Sequence, residues 1–146
     1  MSSTAALVVL TIICGIASAM QAQFMGLLDR GLGTMESIFI TYFGGGVVIL
    51  SAVVIYRGGN LMAWQSVPWY ALTAGLLGLI IVGTLGFVVP RLGLVTVFTI
   101  TVSSQFIVAA ILDHFGLFGA PVREFDLTKL AGVATILFGV WLIMRQ

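Results

Sequence analysis

The apolar residues of this chain come in long unbroken runs, and the charges fall between them. No Asp, Glu, Lys or Arg occurs from Met1 to Leu28. A helix crosses the ~30 Å hydrocarbon core when it carries about 20 such residues. The pattern predicts five membrane helices, at about 4–28, 35–56, 67–89, 94–112 and 127–144. Asp29 and Arg30 end the first run, and "GLGT" turns the chain. Glu36 stands at the mouth of the second, which Arg57 and "GGN" close. Pro68 suits the first turn of the third, where a missing N–H costs nothing. Trp64, Trp69 and Tyr70 cluster beside it, as aromatic residues do at a membrane interface. "PRLG" (Pro90 to Gly93) reads as a tight reversal, and Asp113 and His114 end the fourth run. "GAPVREFD" is a polar connection, and Arg145 follows the fifth helix. The runs are continuous and too long for the alternating ten-residue strands of a barrel.

Composition agrees with that reading. Of 146 residues, 60% are hydrophobic and 8% charged, against about 25% charged in a soluble domain. Mean hydropathy is +1.21. Lipid is the solvent, and residues 1–146 form a single all-α, five-helix transmembrane domain. A net charge of +1 offers no basic field for nucleic acid. The single cysteine, Cys14, excludes an internal disulfide and reads as a small buried side chain. No basic residue precedes the first apolar run, which argues for a retained first helix over a cleaved signal peptide. The chain has one His, no acid pair on one helix face, and no zinc or phosphate-loop spacing. Metal, cofactor and enzyme readings therefore have no support.

The polar residues inside the runs carry the remaining information. Thr11, Cys14, Ser18 and Gln21 fall on one stripe of helix one. Beside it runs a stripe of small residues, Gly15, Ala19, Ala22 and Gly26, which allows close backbone approach in lipid. Gln23 points away from Gln21, by about 200°. On helix four, Thr96, Thr99 and Ser103 share one face, while Thr101 and Gln105 share roughly the opposite one, with Ser104 between. A helix that is polar on two sides belongs at the centre of a bundle. The hydroxyls can bond their own helix carbonyls. Gln105 has no such escape, and reads either as interhelical glue or as cavity lining; Gln21 reads as facing a central cavity, and Gln23 as helix–helix glue or an interfacial amide. Tyr42 and "GGG" (Gly44 to Gly46) lie in helix two, the glycines as a packing seam or a hinge. Ala71, Gly75, Gly78 and Gly86 make a small-residue stripe on helix three. Gly132, Thr135 and Gly139 make one on helix five, a candidate dimer contact. Glu36 complements the helix dipole; its alternative role is a coupling carboxylate at a cavity mouth. Asp113 and His114 read as an interfacial terminus.

Five helices put the two ends on opposite membrane faces. Arg57, Arg123 and Lys129 fall on the N-terminal face, and Arg30, Arg91 and Arg145 on the other. Asp29 and Glu36 share the second face, where they can pair with Arg30 and Arg91. Three against three leaves the positive-inside rule without an instruction. The functional reading of that balance is dual topology, in which copies of opposite orientation build an inverted-repeat pair.

"AMQAQFMGLLDRGLG", "FGGG", "VPRLG" and "SSQFIVAAILDHFGLFG" together resemble the small YdcZ-like inner-membrane family of the drug/metabolite transporter superfamily. The resemblance spans essentially the whole chain. It implies one half of a ten-helix inverted-repeat transporter in a bacterial inner membrane. It also implies an antiparallel homodimer, or a heterodimer with a paralogue, that exports or exchanges a small molecule. The family pattern leads one to expect Asn at the position of Met25, as a ligand for polar substrate. The substrate-pathway candidates are Gln21, Ser18, Tyr42, Thr101, Ser104 and Gln105, with Glu36 as the coupling candidate. The alternative is a non-transporting membrane subunit whose polar residues are glue. With no acid placed deep in a helix, the residue set disfavours a cation held by a mid-membrane carboxylate and suits a neutral or zwitterionic solute, or equally a wet cavity for many others.

Overall fold

A computed structural model describes residues 4–56, 59, 61–122 and 126–145. The main helices are α1 (Thr4–Leu32), α2 (Thr34–Ile55), α3 (Ala74–Leu92), α4 (Leu94–Phe115) and α5 (Leu127–Met144). Short 3₁₀ turns cover Leu61–Ser66, Trp69–Thr73 and Leu117–Gly119. No strand occurs among the described residues. Four spans are long and apolar enough to cross a membrane, the third counted from Trp69; a shorter apolar helix covers Leu130–Met144. The chain divides into two compact units, Met1–Arg91 and Leu92–Gln146. Arg57 and Arg123 lie outside the described residues, as does the side chain of Lys129.

The first unit holds α1, α2 and α3. Two of its helices run past their expected ends. α1 continues through Asp29 and Arg30 to Leu32, and α3 continues through Pro90 to Leu92. The turn expected over "GLGT" shrinks to Gly33 alone. Its φ of 108° is open to glycine and strained for other residues. The Gly33 N–H closes α1 on the Asp29 carbonyl at 3.0 Å, and the Gly33 carbonyl accepts from Ser37 N–H at 3.1 Å, opening α2. The charges do not stop the helices because each finds a partner. Pro90 lacks an N–H and weakens the last turn of α3. Arg91 donates to the Phe87 carbonyl there, and Arg30 donates to the Pro90 carbonyl at 3.0 Å. Pro68 stands just before its helical turn, at φ −55° and ψ 135°.

Burial in this unit is concentrated at one level. Ala22, Met25 and Gly26 are buried on α1, Ser37 on α2, and Gly86 and Val89 on α3. Ser37 donates its hydroxyl to the Met25 carbonyl at 3.3 Å. A Cβ on Gly86 would sit 3.4 Å from Met25 Cε. One on Gly26 would meet the Pro90 ring at 3.2 Å. Met25 is 2% exposed and ranks among the largest fully buried side chains. It is a packing residue, fitted between a hydroxyl and a bare backbone. The expected small-residue stripes are used at this level and again at Gly78, which lies against Tyr42. A Cβ on Gly15, Gly75 or any of Gly44 to Gly46 would meet nothing within 4 Å, so among the described residues of this unit these glycines form no seam. Cys14, expected to be buried, is exposed. It lies in the N-terminal half of α1, where Leu10 and Ile13 are more than half exposed as well.

The second unit pairs α4 with α5. α4 runs beyond residue 112 to Phe115, carrying Asp113 and His114 within its last turns. It stops at Gly116, which takes the left-handed conformation (φ 62°) and returns its N–H to the Leu112 carbonyl. Thr99 and Ser103 bond back to Val95 and Thr99 carbonyls at 2.7 Å each.

Met25→Ala removes the side chain that fills the packed level. It is expected to cost about 2–3 kcal/mol, chiefly through lost contacts and the cavity left behind. Leu10→Ala, at a site 60% exposed, is expected within about 0.5 kcal/mol of the parent. Thermal denaturation of both variants in one detergent checks the contrast.

Candidate functional site

The first unit is layered, and the layers follow from helical spacing. Residues four apart lie on one helix face, one turn from each other. The packed layer is Met25, Ser37 and Gly86. One turn toward the α1–α2 connection lie Asp29, Gly33 and Pro90. One turn the other way lie Gln21, Thr41 and Val82. Those three residues line a common groove with Tyr42, Gly45, Gly46 and Ile49.

The outer layer is ionic. Asp29 accepts from the Thr34 hydroxyl at 2.5 Å and from Arg91 Nη1 at 3.4 Å. Its side chain is 7% exposed and that of Arg91 51%. The Arg91 guanidinium also lies 3.5 Å over the Phe87 ring. A carboxylate beside the start of α2 and two guanidiniums at the end of α3 complement both helix dipoles. The sequence-level pairing of Asp29 with arginine on this face is thus present.

The groove has a volume of about 380 Å³, within the range of small-molecule sites. Gln21 lies eight residues from Asp29, about 12 Å at 1.5 Å per residue. Tyr42 lies eight residues from Thr34, again about 12 Å. Both therefore sit near the middle of a ~30 Å core. The Gln21 amide makes no hydrogen bond among the described residues. Tyr42 rests its hydroxyl against Gly78 of α3, where even a Cβ would collide with it. Gly78 is thus the socket that holds Tyr42 in place. A second groove, of about 420 Å³, shares Gln21 and Thr41 and is otherwise walled by Ala17, Met20, Phe24, Met25 and Leu28.

Gln21 and Tyr42 come together in the groove. Gln23 lines neither groove. Ser18 is half-buried one turn further along α1 and lines neither. Glu36 is exposed, and its carboxylate folds over Gly33, with Oε2 2.8 Å from where a Cβ would stand. It is absent from the groove walls. Thr101, Ser104 and Gln105 belong to the second unit. Ser104 bonds back to the Thr101 carbonyl at 2.8 Å. Gln105 is exposed and makes no hydrogen bond among the described residues. Gly132 lines an α4–α5 groove of about 340 Å³ with Asp113. Cβ atoms at Gly132 and Gly139 would meet nothing within 4 Å, and Thr135 bonds back to Ala131 at 2.9 Å. Sequence reasoning missed Thr41 and Val82. The four-residue steps from Ser37 and from Gly86 point to both. Among the described residues no three His, Cys, Asp or Glu side chains are grouped to hold a metal.

A family profile described as "Putative inner membrane exporter, YdcZ" matches residues 6–142. The chain belongs to that family. It is also 26% identical to "Inner membrane protein YdcZ" of Escherichia coli (strain K12) over 138 residues, covering 92% of each protein. No solved structure matches the chain. Membership sets the groove in a multi-pass protein of the inner membrane, of the drug/metabolite transporter type.

Gly78→Ala is expected to push the Tyr42 ring off α3 while leaving the other tyrosines in place. In protein labelled with 3-fluorotyrosine, one ¹⁹F resonance of the three should move, and it should be the one removed by Tyr42→Phe.

Proposed function

We propose that this chain is half of a small-molecule exporter, in which two copies of opposite orientation, or one copy and a paralogue, enclose a path through the membrane. The solute binds at the groove of Gln21 and Tyr42 and is released by alternating access, as in transporters built from inverted repeats. The observation that carries this reading is the convergence of Gln21, Thr41 and Tyr42 at about 12 Å depth, with the Gln21 amide unpartnered. A free amide at that depth is costly against lipid. It is at no disadvantage against a polar solute, water or a partner chain. Membership of an exporter family supports the direction of transport. The even split of basic residues supports dual topology, and the open glycines of α5 offer a surface for the second copy. Gln105 and Ser104 supply polar groups of the same kind on α4. Glu36 serves as the coupling acid in this scheme, at the end of α2 and outside the groove.

A second reading is a non-transporting membrane subunit. One observation favours it: the hydroxyls of Thr11, Thr41, Ser51, Thr99, Ser103, Ser104 and Thr135 all bond back to their own helices. These polar groups need no solute to be satisfied.

Proteoliposomes loaded with a cytosolic small-molecule extract separate the two. Mass spectrometry is expected to find at least one solute released faster than from protein-free vesicles. Gln21→Leu is expected to slow that release by about tenfold with little change in melting temperature. Unchanged release with lowered stability would favour the subunit reading. A reporter fused to either terminus is expected on both membrane faces; one fixed orientation, with no partner of the opposite one, contradicts the antiparallel pair.

A further inference from the structure

We infer that the groove of α1, α2 and α3 takes an uncharged organic solute, with hydrogen-bonding groups on one edge and an aromatic or aliphatic face on the other. This rests on the transport reading above and names the class of molecule that the site admits. No wall of the groove carries a formal charge: the side chains are Gln21, Thr41, Tyr42, Ile49 and Val82, with Gly45 and Gly46 between them. The nearest ionised group along α1 is Asp29, about 12 Å away at the rise of a helix. It already receives Arg91 and Thr34. On α2 the nearest is Glu36, about 9 Å from Tyr42 along the axis, and it is folded over Gly33. An ion in the groove would shed water and gain no counter-charge, which is the costly case for buried charge.

Hydrogen bonding is available instead. The Gln21 amide offers two donors and an acceptor, none used among the described residues. The Thr41 hydroxyl gives its proton to the Ser37 carbonyl at 2.8 Å and keeps its acceptor lone pairs. Tyr42 adds a phenol. Ile49 and Val82 offer apolar contact on the same groove, and Met20 and Phe24 extend it in the groove that shares Gln21 and Thr41. The two kinds of wall suit a neutral molecule with two kinds of face.

Three probes of one shape and different charge test this: benzamide, benzamidinium and benzoate. Each is titrated by saturation-transfer NMR into the full-length protein in lipid nanodiscs. Benzamide is expected to bind about tenfold more tightly than either ion, and Gln21→Leu is expected to weaken benzamide binding without favouring either ion. Gln21→Glu places a charge on the same wall and is expected to turn the preference to benzamidinium. If an ion binds the parent protein as well as benzamide does, and loses affinity in Gln21→Leu, the charge class is wrong while the groove stands as the site. Binding that ignores Gln21→Leu, Gln21→Glu and Tyr42→Phe alike, or no binding of any probe, overturns both this inference and the placing of the site.

Discussion

The first unit depends on one close approach, where Met25 fills the space between Ser37 and the bare backbone of Gly86. Lipid tails are as apolar as Met or Val, so bringing helices together in a membrane gains nothing from leaving lipid as such. What holds them is van der Waals contact at short range, and that requires a small residue opposite a large one. α1, α2 and α3 meet this requirement at one level. Everything else in the unit is set by its distance from that level, counted in turns. One turn outward, charged side chains reach carbonyls, a hydroxyl and each other. One turn inward, the side chains change from packing to lining: Gln21, Thr41 and Val82 replace Met25, Ser37 and Gly86. The groove exists because the packed layer ends below it and because the glycines of α2 put no side chains in its place.

Much of this was legible in the sequence, for definite reasons. A charge every twenty-odd residues marks where a membrane helix meets water, so the five helices could be read without reference to contacts. The helical period separated Gln21 from Gln23, and the structure puts Gln21 on two grooves and Gln23 on neither. Hydroxyls could be expected to bond their own helices, and those of Thr11, Thr99, Ser103, Ser104 and Thr135 do, while Ser37 crosses to α1. The ends of α1 and α3 were harder. A charged pair reads as a stop, but Asp29, Arg30 and Arg91 satisfy one another's helices and let them continue. Such pairing joins residues about sixty apart, which no local pattern records.

Position 25 is the clearest case of a role that only packing reveals. Resemblance to the family leads one to expect a polar ligand there. The structure gives a side chain 2% exposed at the meeting of three helices. A thioether is flexible and polarisable enough to fill such a gap. Polar work near that level falls to the neighbouring turn, at Gln21 and Thr41. In the same way, the three glycines of α2 read as a seam or a hinge; within the first unit all three face open space, and Gly45 and Gly46 line the groove beside Tyr42.

The central claim is that Gln21 and its neighbours line a water-accessible path in the middle of the membrane. The most direct test is the thiol-modification rate of single cysteines in a Cys14→Ala background, using the uncharged reagent N-ethylmaleimide on the protein in vesicles. Gln21→Cys and Gly45→Cys are predicted to react at least about tenfold faster than Ile13→Cys, because the reactive thiolate forms in water and not in hydrocarbon. Equal and slow modification at all three positions would contradict the account.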